Sequence, residues 1–206
     1  MKINKETKIY GSFSNNPGNN GCVFFNNTFE EYNLNSIYKS FYSTDIEQLV
    51  KSVKHLNFSG FALSMPLKID IIKYLDKIDD SALEIGAVNT VINDNDILIG
   101  YNTDWIGVKK YIENLSYCID HMTILGNGGF SKAVQYACKK LDINYNIITR
   151  QNWNNITGTT NIIFNATPID VVFSNLIDGR PFTDQGKIIA KLQAKEQFYI
   201  YTGIKI

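Results

Sequence analysis

Short apolar runs alternate with segments of helical spacing along most of this chain. The runs KIYGSF, SIYKSF and FSGFAL have the β-branched and aromatic content of strands, and helical patterns follow them. The clearest helix begins at Thr44, where Glu47 completes a capping-box pattern, and its apolar stripe extends to Leu56. This alternation predicts an α/β fold.

The pattern starts again after a helix that we expect to begin near Asp104. The strand HMTIL leads through the turn GNGG into the helix FSKAVQYACKKL, and two further strands, NYNIIT and TNIIFNA, follow. Strand, glycine turn and helix in this order are typical of the opening of a mononucleotide-binding unit. We therefore expect two domains: residues 1–103, to which a C-terminal helix at 186–206 returns, and residues 104–185.

Composition narrows the classes of partner. Twenty basic residues balance twenty acidic ones, so no net positive field favours nucleic acid or an anionic membrane surface. No window approaches a membrane span, and the N-terminal residues lack the apolar run of a signal peptide, so we expect a cytoplasmic protein. Three cysteines without Cys-x-x-Cys spacing and two separated histidines predict neither a disulfide nor a metal site.

The glycine turn at 126–129 is a candidate phosphate site. Gly126, Gly128 and Gly129 allow the backbone to turn tightly and to approach a pyrophosphate, whose charge the free N–H groups and the helix dipole stabilise. Ser131 occupies the position of the third glycine in the usual pattern. A tight turn that binds nothing is the alternative explanation.

The residue after the second strand of this unit bears on cofactor choice. NAD-binding units usually carry an acidic residue there for the ribose 2′-hydroxyl, whereas this chain has Arg150. A guanidinium offers several donors to a 2′-phosphate, so the sequence favours NADP over NAD. Taken alone, Arg150 is better explained as a solvated surface arginine.

Polar residues also cluster in the first domain. Pro66 suits the first turn of a helix that holds Lys68 near the end of the strand before it, where α/β proteins place ligands. Residues 85–90 and 100–104 have the pattern of a hairpin that presents Asn89 and Asp104. A lysine in a closed cleft acts as a general acid or base, and Asp104 suits a partner that keeps it charged. A solvated lysine and an ordinary helix N-cap are the alternatives.

Together these motifs resemble shikimate dehydrogenases. Met-Pro-Leu-Lys at 65–68, Gly-Ala-Val-Asn-Thr at 86–90, Asn-Thr-Asp at 102–104 and the glycine turn occur in that family's order and approximate spacing. The likeness continues in Asn-Ala-Thr-Pro at 165–168 and in the closing helix around Gln193.

The resemblance implies a substrate-binding domain at 1–103, completed by residues 186–206, and a shortened Rossmann-type NADP-binding domain at 104–185, with catalysis in a cleft between them. Lys68 is then the acid/base, Asp104 its partner, and Ser64, Asn89 and Gln193 ligands of substrate hydroxyls. The implied cofactor-binding residues are Gly126, Gly128, Gly129, Arg150, Asn165 and Thr167. The implied reaction interconverts shikimate and 3-dehydroshikimate, a step of aromatic amino-acid biosynthesis, in a monomer or homodimer.

Two departures from the family pattern are visible. The Ser-x-Ser-Pro carboxylate clamp is absent, and an Asn- and Gly-rich loop resembles the shikimate dehydrogenase-like branch instead; Asn19 and the N–H of Gly21 remain as carboxylate ligands. Only 27 residues separate Asn165 from Gln193, so we expect two or three parallel strands with one or two helices in the second domain. Residues 170–173 and 180–182 are expected to be remnants of the missing elements.

Three functions are compatible with these patterns. The first is an active NADP-dependent dehydrogenase acting on shikimate or a similar hydroxylated ring acid. The second is a binding protein that keeps the substrate site without productive nicotinamide binding, because its second domain is short. The third is a dehydrogenase for another substrate, such as a folate derivative, against which the Asn-Thr-Asp motif argues.

Overall fold

A computed structural model describes residues 3–156 and 162–206 of the chain. Two compact units are present: Met1–Asn102 with Gln197–Ile206, and Thr103–Glu196. Both units combine a sheet with helices, which confirms the predicted α/β class with a shortened Rossmann-type domain.

The first unit contains a six-stranded mixed sheet in the order β2-β1-β3-β5-β6-β4. Its elements are β1 Lys8–Ser14, α1 Asn20–Glu31, β2 Ser36–Tyr42, α2 Ile46–His55, β3 Phe58–Leu63, a 3₁₀ helix Asp70–Tyr74, β4 Lys77–Ile78, α3 Asp80–Ile85, β5 Thr90–Asp94 and β6 Ile97–Tyr101. Strands β1, β2 and β3 are parallel, whereas β5 is antiparallel to β3 and β6.

The two faces of this sheet bury different helices. One face carries Phe13 and Phe61, which belong to the same buried cluster as Leu49 and Val53 of α2. On the other face Phe25 of α1 stacks on Tyr38 at 4.3 Å between ring centroids. The alternation of side chains along each strand therefore separates an aliphatic and aromatic core from a second face that also carries polar residues.

The second unit contains a four-stranded, fully parallel sheet in the order β10-β9-β7-β8. Its elements are α4 Asp104–Glu113, β7 His121–Leu125, α5 Gly129–Lys140, β8 Asn144–Ile148, a 3₁₀ segment Arg150–Ile156, β9 Ile162–Asn165 and β10 Leu176–Asp178. The last helix, α6 Asp184–Thr202, is divided between the units at Gln197. The described residues form four strands here, where two or three were expected. The additional strand, β10, has only three residues, and its apolar run is too short to be recognised in the sequence.

Three local predictions need correction. Helix α2 begins at Ile46 with Asp45 as N-cap, whose carboxylate accepts the Gln48 N–H at 3.0 Å, so the capping box at Thr44 does not form. Leu56 follows the helix end and is exposed. The hairpin strands are β5 and β6, displaced from the predicted ranges because Asn95 and Asp96 adopt positive φ and make the turn.

Candidate functional site

The carboxyl end of β1 is the point where strand order reverses in the first unit. Strand β1 lies between β2 and β3, both parallel to it, so the chain goes to opposite sides of β1 in its next two crossings. Ligand sites of α/β sheets form at such reversals. The Asn- and Gly-rich loop that follows Ser14 therefore lies at a position suited to a ligand.

The segment Ser64–Lys68 is held against this edge by its backbone. The backbone N–H of Ser64 donates to Phe13 O at 3.0 Å, and the backbone N–H of Asn15 donates to Met65 O at 3.1 Å. The predicted helical turn at Pro66 is wrong: the Met65–Pro66 peptide is cis, and Leu67 N closes a turn on Ser64 O at 2.9 Å. A cis proline suits such a turn rather than the start of a helix.

The backbones of Lys68 and Asn89 lie close together at this edge of the sheet. The carbonyl of Lys68 accepts a hydrogen bond from Val88 N at 2.8 Å, and Lys68 is half-buried. Asn89 is buried; its N–H donates to Tyr101 O at 3.1 Å, and its carbonyl accepts Leu63 N at 2.8 Å. The first unit thus brings the backbones of Ser64, Lys68 and Asn89 together at the end of β3.

Sequence reasoning did not single out Gln197 as a site residue. It is buried, and its side-chain amide donates to Thr90 Oγ1 at 2.8 Å, while Thr90 Oγ1 donates to Asn89 Oδ1 at 2.8 Å. The side chain of Asn89 is therefore oriented from the last helix. The signal that could have indicated its role is a glutamine among apolar residues of the closing helix, because a buried side-chain amide needs hydrogen-bond partners.

Asn19 and Gly21 flank the start of α1. Asn19 is the exposed N-cap residue of α1, yet its side chain makes no capping hydrogen bond. Gly21 is half-buried, and a Cβ added there would lie 3.1 Å from Cε1 of Tyr38. The backbone of Gly21 consequently packs directly on the Tyr38 ring, which a larger residue would push away.

Asp104 and Gln193 belong to the second unit. Asp104 is the first residue of α4 and is buried, whereas Thr103 is the N-cap, so Asp104 is not the ordinary N-cap that was its alternative explanation. Thr103 Oγ1 donates to Gln193 Oε1 at 2.9 Å. A Cβ at Gly107 would lie 2.8 Å from the carbonyl oxygen of Ile189, so only glycine allows α4 and α6 to approach this closely.

The glycine turn lies where strand order reverses in the second sheet, because β7 is flanked by β8 and β9. Gly126 has a φ of +103°, and the Ser131 hydroxyl donates to its carbonyl at 2.7 Å, which explains serine at the third glycine position. Gly128 is the exposed N-cap of α5, with no atom within 4 Å of a Cβ built there, and Gly129 is the first helical residue. The first turn of α5 contains no acidic residue. This open, uncapped helix start fits a pyrophosphate.

Two loops of the second unit carry the remaining predicted cofactor residues. Arg150 is exposed, two residues beyond the end of β8. Asn165 is fully buried at the end of β9, where its Oδ1 accepts Thr167 Oγ1 at 2.7 Å and its Nδ2 donates to Ile169 O at 2.9 Å. Asn165 and Thr167 thus shape the loop that packs on Gly126, and their contact with a cofactor stays a prediction.

In the short segment that follows β9, Arg180, Asp178 and Asp170 form an ion cluster. Arg180 donates to both carboxylate oxygens of Asp178, with Nη2 to Oδ2 at 2.6 Å, and to Asp170 Oδ1 at 2.6 Å. The Arg180 and Asp178 side chains are about nine-tenths buried, whereas Asp170 is exposed. The hydrogen bonds that Arg180 donates to Asp178, and then the one to Asp170, raise the pKa of the Arg180 guanidinium above its ordinary value.

Residues 3–156 and 162–206 contain neither a membrane-spanning helix nor a group of metal ligands. No helix there combines the length and apolarity needed to cross a bilayer. His, Cys, Asp and Glu side chains in the same ranges form no group of three that could hold a metal ion.

Comparisons with known proteins converge on one family. The family model described as shikimate dehydrogenase substrate binding domain matches residues 21–91. A shikimate dehydrogenase-like protein of Haemophilus influenzae is 43% identical over 138 residues, which cover 66% of this chain and 51% of that protein. A shikimate dehydrogenase (NADP(+)) of Pyrococcus furiosus is 36% identical over 143 residues, covering 68% and 52%. The matched segments thus span about half the length of these curated relatives.

Solved structures extend the likeness to both units. A shikimate 5-dehydrogenase-like protein aligns with a TM-score of 0.83 and 31% identity over 100% of this chain and 95% of that one. A shikimate dehydrogenase in complex with NADP+ aligns with a TM-score of 0.79 and 27% identity, over 99% and 93% of the two chains.

Proposed function

Because this chain belongs to the shikimate dehydrogenase family, we propose that it transfers a hydride between NADP(H) and a polyhydroxylated ring acid, either shikimate/3-dehydroshikimate or a similar pair. The observation that carries the proposal is the convergence of Ser64, Lys68 and Asn89 at the end of β3 through backbone hydrogen bonds. Convergent polar groups at a reversal of strand order are what a small polar substrate requires.

Lys68 is the proposed general acid and base. NADP+, when bound, would accept the hydride of the substrate C–H bond in oxidation. Lys68 handles the proton: its amine takes the hydroxyl proton in oxidation, and its ammonium returns that proton to the alkoxide oxygen in reduction. A lysine can serve both directions because one nitrogen on a flexible side chain accepts a proton as the amine and donates it as the ammonium.

Asp104 is the proposed partner of Lys68. Chain connectivity supports this pairing, since Asn89 N binds Tyr101 O and Val88 N binds Lys68 O. Asp104 follows Tyr101 by three residues, which limits the separation of their Cα atoms to about 10 Å. A carboxylate within such reach can accept a hydrogen bond from the lysine side chain and orient it.

The remaining polar groups are proposed to bind the substrate. Ser64 and Asn89 offer a hydroxyl and an amide to ring hydroxyls, and Gln193 an additional amide. Asn19 and the Gly21 N–H are the proposed carboxylate ligands, since a carboxylate accepts hydrogen bonds from several neutral donors where these converge.

The proposed cofactor is NADP, which supplies the hydride acceptor or donor when bound. Gly126, Gly128 and Gly129 would hold its pyrophosphate at the open start of α5, and Arg150 its 2′-phosphate. The absence of a side-chain cap and of acidic residues at that helix start supports the fit.

A second function, ligand binding without turnover, is favoured by one observation. The loop after β9 is closed on itself by Asn165, Thr167 and the Arg180–Asp178 pair, and the sheet ends at the three-residue β10. This leaves few groups of the second unit for positioning a nicotinamide. Such a protein would bind the ring acid and transfer no hydride.

The test is the absorbance of NADPH formed from NADP+ with a panel of shikimate-like acids. We expect acid-dependent reduction by the wild-type protein and a loss of about 100-fold or more in turnover for Lys68→Ala, with little change in acid affinity. Lys77→Ala, which removes an exposed lysine of β4, is the matched control and should behave as wild type. Equal turnover in Lys68→Ala and wild type would refute the role of Lys68, whereas acid binding without NADPH formation in the wild type would support the second function.

A further inference from the structure

Three buried polar side chains of the first unit form a chain of hydrogen bonds that ends at Asn89. Gln197, Thr90 and Asn89 are each at most 3% exposed. Gln197 Nε2 donates to Thr90 Oγ1 at 2.8 Å, and Thr90 Oγ1 donates to Asn89 Oδ1 at 2.8 Å. A side-chain amide rotated by 180° exchanges its donor and its acceptor, so the direction of such a chain depends on a neighbour that cannot change roles.

The backbone carbonyl of Asn89 is that neighbour. Gln197 Nε2 donates to this carbonyl oxygen at 3.4 Å as well as to the Thr90 hydroxyl. A carbonyl oxygen only accepts hydrogen bonds, so a rotated Gln197 would bring its own oxygen against another acceptor at a buried position. Gln197 is therefore the donor to Thr90, and the single hydroxyl proton of Thr90 is directed to Asn89 Oδ1.

This chain determines which atom of the Asn89 amide faces Thr90. The oxygen of the amide accepts the Thr90 proton, so Nδ2, with its two N–H donors, lies on the other arm of the amide. Rotation of the Asn89 side chain would break the bond to Thr90 at a buried position, where a lost hydrogen bond is costly. The backbone of Asn89 is held as well, because its N–H donates to Tyr101 O and its carbonyl accepts Leu63 N.

We propose that Gln197 and Thr90 are positioning residues that make Asn89 a hydrogen-bond donor to the substrate ring, so that the ring position next to Asn89 must carry an oxygen. The inference rests on the proposed function, which gives Asn89 its ligand. A hydroxyl and a keto oxygen both accept a hydrogen bond, so one orientation of Asn89 serves both members of an alcohol–ketone pair. An ammonium group at the same position only donates, and it would meet the Nδ2 donors without an acceptor.

The test compares an oxygen with a nitrogen at each position of the ring. Calorimetry measures the binding of shikimate, and of analogues in which one ring hydroxyl at a time is replaced by an ammonium group, to wild type and to Thr90→Val. At one ring position we expect Thr90→Val to lower the ratio of hydroxyl to ammonium affinity by about tenfold, because Asn89 is then able to turn and accept. Thr90→Ser, which restores the hydroxyl, should keep the ratio within about twofold of wild type. A loss of packing alone would weaken all these ligands together and leave the ratio unchanged.

A second variant and a matched control separate the direction of the chain from its stability. Gln197→Glu replaces the donor by a group that only accepts when ionised, so Thr90 would donate to it and Asn89 would turn; the ratio should fall at least as far as in Thr90→Val. Thr123→Val is the control, since Thr123 is also a buried strand residue whose hydroxyl donates to an asparagine side chain, Asn146 Oδ1, at 3.0 Å. This control should keep the wild-type ratio.

The outcomes distinguish this inference from the proposed function. An unchanged ratio in both Thr90→Val and Gln197→Glu would overturn the inference, while NADPH formation by the same wild-type protein would leave the proposed function intact. A wild type that binds none of the ring acids would overturn both. A ratio that depends on Thr90, in a protein that forms no NADPH, would support the orientation of Asn89 and refute the hydride transfer.

Discussion

The side-chain amide of Gln197 donates a 2.8 Å hydrogen bond to the hydroxyl of Thr90, 107 residues earlier in the chain. Both residues are buried, and the Thr90 hydroxyl in turn donates a hydrogen bond to the side-chain oxygen of Asn89. A residue of the last helix therefore sets the orientation of a proposed substrate ligand. The proposed site depends on the C-terminal segment for its geometry as well as for packing.

Replacing Gln197 by leucine should destabilise the fold and leave the Asn89 side chain less firmly oriented. The change keeps the volume but removes the buried hydrogen bond that Gln197 donates to Thr90 Oγ1, at a cost of about 1–3 kcal/mol in the free energy of unfolding. Urea unfolding checks the loss, and calorimetry should show weaker acid binding. Gln48→Ala, on the exposed side of α2, should stay within about 0.5 kcal/mol of wild type; an equal effect of both changes would contradict the role of Gln197.

Alanine at Gly126 should destabilise the second unit for two separable reasons. Its φ of +103° is unfavourable for any residue with a Cβ, and that Cβ would lie 2.9 Å from Cγ2 of Thr167. We expect a loss of about 1–3 kcal/mol in urea unfolding. Adding Thr167→Ser, which keeps the hydroxyl bonded to Asn165 and removes Cγ2, should recover part of this loss.

The matched control for this change is Gly128→Ala. Gly128 has a φ of −84° and open space around a Cβ, so alanine there should cost only the N-cap preference for glycine, less than about 1 kcal/mol. If Gly128→Ala destabilised the protein as strongly as Gly126→Ala, the conformational argument would be wrong.

Removal of the Asp178 charge should cost more than removal of the Asp170 charge. Asp178→Asn leaves the buried Arg180 guanidinium with only the exposed Asp170 as counter-charge, so we expect a loss of about 2 kcal/mol or more in unfolding free energy. Asp170→Asn should cost less than about 1 kcal/mol, since the Asp170 carboxylate is itself exposed and screened by solvent. Similar losses for the two changes, measured by urea unfolding, would show that burial does not decide the strength of this cluster.

The Cys138 thiol should make stability fall at alkaline pH. Burial raises its pKa from 9.0 to about 12. Between these values the unfolded chain loses the thiol proton while the folded protein keeps it, so the free energy of unfolding decreases as pH rises above about 9 and is unaffected below. From pH 8 to pH 10.5 the wild type should lose about 2 kcal/mol more than Cys138→Ala. Cys118→Ala, at an exposed cysteine, should retain the wild-type pH dependence.

Sequence patterns sufficed for the elements whose signal is local. Strands β1, β2 and β3 each carry a continuous apolar and aromatic run, and the glycine turn lies between a strand and a helix as its motif predicts. The turn at Asn95–Asp96 was missed because the Gly-Ala-Val-Asn-Thr motif was itself read as a strand, although adjacent Asn and Asp tolerate positive φ.

The polar group formed by Ser12, Tyr38, Ser40 and Tyr201 was beyond sequence reasoning for a different reason. Its members come from positions 12, 38, 40 and 201, and only the register of β1 with β2 and the packing of α6 bring them together. Alternation along β1 makes Ser12 a polar position on one face but does not reveal which residue of another strand lies beside it. The same limit applies to Gln197, whose partner Thr90 is fixed by tertiary packing alone.

The most direct test of the account follows the hydride itself. The purified protein is incubated with NADP+ and shikimate deuterated at the carbon that bears the oxidised hydroxyl, and the NADPH formed is analysed by mass spectrometry. The account predicts NADPH that carries one deuterium per molecule, formed in the wild type and lost in Lys68→Ala. NADPH without the label, or no NADPH from any acid of the shikimate class, would contradict it.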